Sequence, residues 1–149
     1  NQFSKCVDKK AESSNCKNIT ISASIEAELS EFENEKERVD FLKTYGLSDN
    51  SLTKIINEGY GLLNLITFFT AGPKETRAWT ITRGTKAPEA GGKIHSDFEK
   101  GFIRAETIRY EDYLTLGGEK AAREAGKMSQ EGKEYTVKDG DIIHFLFNV

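Results

Sequence analysis

The side chains best suited to chemistry in this sequence are two histidines and an aspartate. His95 and Asp97 stand two residues apart in a short polar loop, and His144 lies far from them in sequence. A His-x-Asp pair can bind a metal or move protons, but either task needs a third group, so an enzymatic role requires all three to converge in one pocket. The alternative is local: Ser96 or Asp97 hydrogen-bonds its own turn, and His144 lies along a sheet.

Metal and phosphate motifs are absent from the sequence. Cys6 and Cys16 have no further cysteine or histidine nearby, so we expect free thiols rather than a zinc site. Neither G-x-x-x-x-G-K-[ST] nor G-x-G-x-x-G occurs. Without a phosphate cradle and a magnesium ligand, we expect this chain to be inactive alone as a nucleotide hydrolase. Trp79, Phe98 and Phe102 have the chemistry to stack on bases, although aromatic residues in strands more often belong to a core.

Composition places the chain among ordinary soluble proteins. It has 149 residues, 37% hydrophobic and 30% charged, without an apolar run of membrane-spanning length, and we expect a cytoplasmic protein with no membrane partner. The net charge is −3, because residues 1–63 hold 8 basic and 11 acidic side chains while residues 64–149 hold 13 of each. A nucleic-acid contact would therefore need a local basic patch.

The first 63 residues predict mostly helices. Asn18–Ala23 is β-prone through its β-branched residues, and Ser24 is placed to cap the helix that follows. Asn34 with Glu37 forms a capping-box pattern before a helix at Glu35–Tyr45. A further helix is expected at Ser51–Leu63.

After Leu63 the hydrophobic period changes to that of strands. In Phe102–Arg109, strict alternation would put Phe102 and Arg104 on one side of the strand and Ala105 on the other. Pro88 is placed to open a short helix. The other predicted elements are strands at Leu65–Thr70, Thr76–Thr82, Gly132–Thr136 and Ile142–Asn148, a turn at Ala71–Lys74, and helical segments at Tyr110–Leu116 and Glu119–Lys127.

This order predicts an α+β fold in two parts. A mixed sheet curled over one helix, the β-grasp or ubiquitin-like plan, accommodates it in about 85 residues. We therefore expect a domain at residues 64–149, preceded at residues 1–63 by a short strand and helices.

Four segments resemble the carboxyl end of the YchF-type, Obg-like ATPases. They are GLLNLITFFTAGPKETRAWTI (Gly61–Ile81), GGKIHSDFEKGFIRAETI (Gly91–Ile108), the run from Gly117 to Val149, and ISASIEAEL (Ile21–Leu29). The resemblance implies that residues 64–149 form the family's TGS domain, a β-grasp module. It also implies that residues 1–63 end a P-loop nucleotide-binding G domain, in which Ser22, Ala23 and Ser24 occupy the loop beside the base.

The same resemblance implies partners and cofactors. The intact protein is expected to bind and hydrolyse ATP, or GTP, with magnesium and to associate with ribosomes. The family's phosphate loop and base-selecting motif would lie before Asn1, in an amino-terminal G domain acting in cis, and no cofactor is expected for this chain alone.

The resemblance implies that the TGS module either contacts the ribosome or RNA or is regulatory, and we expect ribosomal RNA or ribosomal protein to touch a local basic edge near the His95–Gly101 loop. Its residues would be Arg83, Lys86, Lys93, His95, Lys100 and Arg104. Alternatively, these charges only solubilise a sheet edge. A second alternative is a free-standing ubiquitin-like protein-interaction module without nucleotide chemistry, although such carriers present a flexible Gly-Gly terminus and this sequence runs straight from a predicted strand to Val149.

Overall fold

Four helices make up the first of two units into which the chain divides. The computed structural model describes residues 2–72 and 75–148, and its units are Asn1–Leu62, called here the helical unit, and Leu63–Val149, the sheet unit. The helices are α1 (Gln2–Ser13), α2 (Ala23–Glu31), α3 (Glu35–Thr44) and α4 (Ser51–Leu62). No helix among the described residues is both long enough and apolar enough to span a membrane.

Local signals fix α3 and α4 close to their predicted bounds. The Asn34 side chain accepts a 2.9 Å hydrogen bond from the Lys36 amide and so caps the first turn of α3. Gly46, with φ of +67°, follows the end of that helix, at a position whose left-handed backbone conformation favours glycine. Leu29 of α2 and Leu42 of α3 are the buried apolar residues of the helical unit.

The predicted strand at Asn18–Ala23 is wrong. Residues 16–22 form no strand, and α2 already begins at Ala23. The residue at the cap position is Ser22 rather than Ser24, and its hydroxyl lies 3.1 Å from the Ser24 hydroxyl instead of bonding the helix amides. β-prone residues form a strand only where another strand pairs with them. The β propensity of Asn18–Ala23 alone therefore does not produce a strand here.

A carboxylate of α2 caps α4. The Oε1 of Glu26 accepts hydrogen bonds from both the amide and the hydroxyl of Ser51, at 2.9 and 2.6 Å. The hydroxyl bond and then the amide bond lower the pKa of Glu26 below its ordinary value. Glu26 thus adds an acceptor from 25 positions earlier in the chain to the local cap of α4, in which Asn50 Oδ1 accepts a 2.8 Å hydrogen bond from the Thr53 amide.

The sheet unit is built on five strands in the order β2-β1-β5-β3-β4. β1 and β5 pair in parallel, whereas the β1–β2, β3–β5 and β3–β4 pairs are antiparallel. This mixed sheet confirms the predicted α+β class and is compatible with the β-grasp plan. The strands are β1 (Leu65–Ala71), β2 (Thr76–Thr82), β3 (Phe102–Arg109), β4 (Ser129–Glu131) and β5 (Asp141–Phe147).

Two short helices, rather than one, cover the core face of the sheet. They are α5 (Ala87–Gly92), with Pro88 in its first turn as predicted, and α6 (Ser96–Lys100). The Phe98 ring of α6 packs against Phe145 and Phe147, with centroids 6.3 and 3.9 Å apart. The predicted polar loop at His95–Asp97 is thus the start of a helix whose aromatic side chain joins the core.

A β-bulge in β3 overturns the strict alternation expected there. Phe102 pairs with Phe147 and Arg104 with Leu146, so Ile103 is an extra residue on its strand and is 53% exposed. As a result Phe102 and Ala105 both belong to the core, and Arg104 lies on the opposite face of the sheet.

The remaining elements follow β3. Helices α7 (Tyr110–Leu116) and α8 (Glu119–Glu124) come next, and α8 is shorter than the predicted segment. The small strand predicted at Gly132–Thr136 is wrong, because the strand that pairs with β3 is β4, at Ser129–Glu131. Of the predicted turn at Ala71–Lys74, Pro73 and Lys74 lie outside the described residues.

Candidate functional site

The two histidines do not share a site. His95 is the N-cap of α6, where its Nδ1 accepts a 3.2 Å hydrogen bond from the Asp97 amide and lies 3.3 Å from Asp97 Oδ2. His144 is in β5 opposite Glu106, and it projects from the face away from Phe145 and α6. Within residues 2–72 and 75–148, no group of three or more His, Cys, Asp or Glu side chains is placed to hold a metal ion. The side chain that caps this turn is thus that of His95, rather than that of Ser96 or Asp97 as predicted.

Charges balance at the edge around α6. Lys93 follows α5, Lys100 is in the last turn of α6, and both are exposed. Asp97 and Glu99 lie on the same five-residue helix. This edge thus carries two cations and two carboxylates, which leaves little positive field for a nucleic acid.

Arg104 does not join Lys93 and Lys100. The β3 bulge sends it to the other face of the sheet, where its guanidinium lies 3.7 Å from Glu106. Glu106 is only 6% exposed and also accepts a 3.0 Å hydrogen bond from Arg123 of α8. Arg104 therefore belongs to a charge cluster with an internal acidic partner.

Arg83 and Lys86 lie instead where two loop segments run side by side. The Val137 amide donates to the Thr85 carbonyl at 3.0 Å, and the Ala87 amide donates to the Tyr135 carbonyl at 2.9 Å. These bonds hold residues 83–87 next to residues 133–138. The crossing brings together four exposed cations, which we call the crossing patch: Arg83, Lys86, Lys133 and Lys138.

One ion pair lies within the crossing patch. Lys86 Nζ is 2.6 Å from Glu134 Oε2, and this contact raises the pKa of Lys86 and lowers that of Glu134. Lys138 Nζ lies 5.9 Å from the centroid of the Tyr135 ring. Lys133 and Lys138 were not predicted as contact residues, because they lie about fifty positions from Arg83 and only the backbone crossing makes them neighbours.

Ser22, Ala23 and Ser24 lie at the start of α2, beside a groove of about 450 Å³ in the helical unit. Ser22 is one of its lining residues. The charged side chains in the lining are Glu26, Glu58 and Lys54. Two carboxylates beside one lysine do not fit a phosphate chain, so the residues present supply at most a contact to the base.

The aromatic residues considered for base stacking belong to the core. Phe102 is 5% exposed, and Phe98 and Trp79 pack against the core cluster. Trp79 Nε1 also donates a 3.0 Å hydrogen bond to Thr70, and the Arg77 guanidinium lies 4.3 Å from the centroid of its ring. The faces of these aromatic rings are therefore already covered and are not open to stacking with a base.

Comparisons with known proteins match most of the chain to one group of relatives. The ribosome-binding ATPase YchF of Escherichia coli O157:H7 is 56% identical over 131 residues, which is 88% of this chain and 36% of the relative. The Obg-like ATPase 1 of Pongo abelii is 52% identical over 130 residues, covering 87% of this chain and 32% of that protein. The chain thus spans about a third of the length of these relatives.

A solved structure and a family model agree. The structure of the Schizosaccharomyces pombe YchF GTPase covers 98% of this chain and 38% of its own, with 41% identity and a TM-score of 0.79. The YchF-GTPase_C family model, described as a protein of unknown function (DUF933), matches residues 65–148. That match contains all five strands and more than half of the chain, and the chain therefore belongs to the YchF-GTPase_C family.

Proposed function

We propose that this chain is the carboxyl-terminal part of a YchF-type ATPase and that its sheet unit is a ribosome-contacting TGS module. The observation that carries the proposal is the family match over residues 65–148, because relatives that are 56% identical are named ribosome-binding ATPases. The strand order of the sheet unit supports a β-grasp module. Of the predicted contact residues, Arg83 and Lys86 remain our candidates for the ribosome contact on this unit, whereas Lys93, His95 and Lys100 lie at an edge that also carries Asp97 and Glu99.

Co-sedimentation with purified ribosomes tests the proposal. The 149-residue chain would be centrifuged with bacterial and with eukaryotic ribosomes, since both kinds of organism have relatives, at about 50 and about 200 mM salt. We expect the chain to pellet with ribosomes at the lower salt and to dissociate as salt rises. Absence from the pellet at both salts, with the chain soluble and folded by circular dichroism, would refute a ribosome contact by this part of the family.

We further propose that the intact protein binds and hydrolyses ATP, or GTP, with magnesium, and that Ser22–Ser24 lies beside the base. The position of Ser22 on the groove supports the base contact, whereas Glu26 and Glu58 oppose phosphate binding there. Titration of the chain with fluorescent ATP and GTP should therefore show no binding at micromolar nucleotide. In a full-length relative, replacing the residue equivalent to Ala23 by a bulkier one should raise the dissociation constant for both nucleotides.

A further inference from the structure

We infer that the crossing patch, Arg83, Lys86, Lys133 and Lys138, binds the phosphate backbone of RNA. The inference rests on the proposed ribosome contact and specifies which surface of the sheet unit makes it and to which chemical group. It adds Lys133 and Lys138, which no motif in the sequence identifies, and it moves the contact from the α6 edge to the crossing of two loops.

The patch is held by the core rather than by its own charges. Ala87 and Val137, whose amides make the two crossing hydrogen bonds, are 0% and 2% exposed. Lys86 also pairs with Thr136 as an isolated β-bridge. Because the backbone on both sides is fixed in this way, the four cationic side chains project from set backbone positions before any ligand arrives, and no loop has to be ordered on binding.

Positive charge exceeds negative charge at the crossing. Residues 83–89 and 133–139 hold four cations and three carboxylates. Glu134 is paired with Lys86, Glu89 Oε2 accepts a 3.4 Å hydrogen bond from the Lys86 amide, and the Asp139 carboxylate accepts one from the Thr67 amide at 2.8 Å. Lys133 and Lys138 are exposed and form none of the ion pairs found among the described residues. Lys93 and Lys100 at the α6 edge likewise form none of these ion pairs, but there two carboxylates, Asp97 and Glu99, equal the two lysines in number.

The chemistry of the patch favours RNA over a protein partner. Protein interfaces usually centre on buried apolar or aromatic side chains, whereas phosphate binding requires only placed cations. In the described part of the sheet unit, the exposed large apolar residues are Leu63, Ile103, Tyr110 and Leu114. None of them lies in residues 83–87 or 132–139.

The test is fluorescence anisotropy with a labelled oligouridylate of about 12 nucleotides, a probe without base-specific structure. The full 149-residue chain would be titrated across a salt series. We expect Lys133→Gln/Lys138→Gln to weaken binding at least about fivefold at low salt and to reduce the slope of log K against log salt by about 1.4, near 0.7 for each lost phosphate contact.

Two further variants make the test specific. Lys93→Gln/Lys100→Gln removes the same charge from exposed positions at the α6 edge and should change the affinity by less than about twofold. Glu134→Gln removes a negative charge and frees Lys86, so it should tighten binding. Equal losses for the two lysine pairs, or weaker binding by Glu134→Gln, would overturn the inference, because overall charge rather than the patch would then set the affinity.

Ribosome sedimentation of the same variants separates this inference from the proposed function. If the wild-type chain binds ribosomes and loses that binding in Lys133→Gln/Lys138→Gln while oligouridylate binding is unchanged, the patch contacts an acidic protein and the RNA inference fails. If oligouridylate binding depends on the patch but no ribosome binding is seen, the RNA site stands and the proposed ribosome contact fails.

Discussion

The hydroxyl of Tyr135 donates a 2.6 Å hydrogen bond to Oδ2 of Asp141, a carboxylate with no solvent exposure. The Lys138 amide donates to the same oxygen at 2.9 Å, and the Arg109 guanidinium lies 3.2 Å from the other oxygen. A buried carboxylate depends on such donors to replace water. Asp141 therefore ties the loop that carries half of the crossing patch to the first residue of β5.

Removing one of these donors should destabilise the sheet unit. Tyr135→Phe keeps the ring but leaves Asp141 short of one hydrogen bond, and we expect it to lower the free energy of unfolding by about 1–2 kcal/mol in urea titrations. Tyr110→Phe is the matched control, because Tyr110 is 44% exposed and its ring packing on Phe69 is retained. A loss in Tyr135→Phe no greater than in the control would contradict this account.

The same contact predicts a loss of stability at alkaline pH. Burial first, and then the hydrogen bond to Asp141 and its charge, raises the pKa of Tyr135 above the ordinary tyrosine value. A group whose pKa is higher in the folded state stabilises the fold fully below its unfolded pKa, and that contribution is lost as pH rises from about 10 toward the folded value. The wild type should therefore lose more stability than Tyr135→Phe between about pH 9 and about pH 11. Parallel pH curves for the two proteins would refute the assignment.

Gly101 should not tolerate a side chain. A Cβ added there would lie 1.8 Å from the Asn148 carbonyl oxygen, and the Asn148 amide donates to the Gly101 carbonyl at 2.9 Å. Gly101→Ala must move the backbone after β5, at a cost of about 1–3 kcal/mol measured by thermal or urea unfolding. Gly132→Ala is the control, since nothing lies within 4 Å of its added Cβ. Equal stability of the two variants would contradict the close approach.

Replacing Arg123 should lower the stability of the sheet unit more than replacing an ordinary surface arginine. It is the closer of the two guanidinium groups beside Glu106, which is 6% exposed, although its own side chain is 55% exposed. Because of that exposure we expect Arg123→Ala to cost about 1–2 kcal/mol, less than the loss of a fully buried partner. Adding Glu106→Gln should recover part of this loss in a double-mutant cycle. Lys127→Ala, which breaks only the exposed pair with Asp112, should change stability by less than about 0.5 kcal/mol.

Much of the fold was predictable because its signals are local. The apolar periodicity of Glu35–Thr44 and Ser51–Leu62 and the cap at Asn34 identify helices, and the alternation in Thr76–Thr82 identifies a strand to the residue. The errors arose in segments where pairing with another strand decides whether the segment is a strand. Asn18–Ala23 has β-prone residues but pairs with no strand, whereas the polar Ser129–Glu131 becomes a strand only because it pairs with β3.

The candidate site was only partly predictable, for a related reason. Arg83 and Lys86 could be picked out as basic residues from the sequence. That Lys133 and Lys138 lie near them depends on two hydrogen bonds between loops that are distant along the chain. Arg104 looked equivalent to Lys100 because strict alternation gives no sign of the bulge at Ile103. One extra residue in a strand was enough to move a candidate contact to the opposite face of the sheet.

The parallel pairing of β1 with β5 constrains how the sheet unit is made in the cell. β5 lies between β1 and β3, so the hairpin of β1 and β2 and the segment containing β3 and β4 have no joining strand until β5 has been synthesised. Folding then requires contacts between residues such as Phe69 and Ile142, which are distant along the chain and slow to find each other. In a nascent chain the sheet unit should therefore stay protease-sensitive until β5 has emerged, and should then become resistant in one late step.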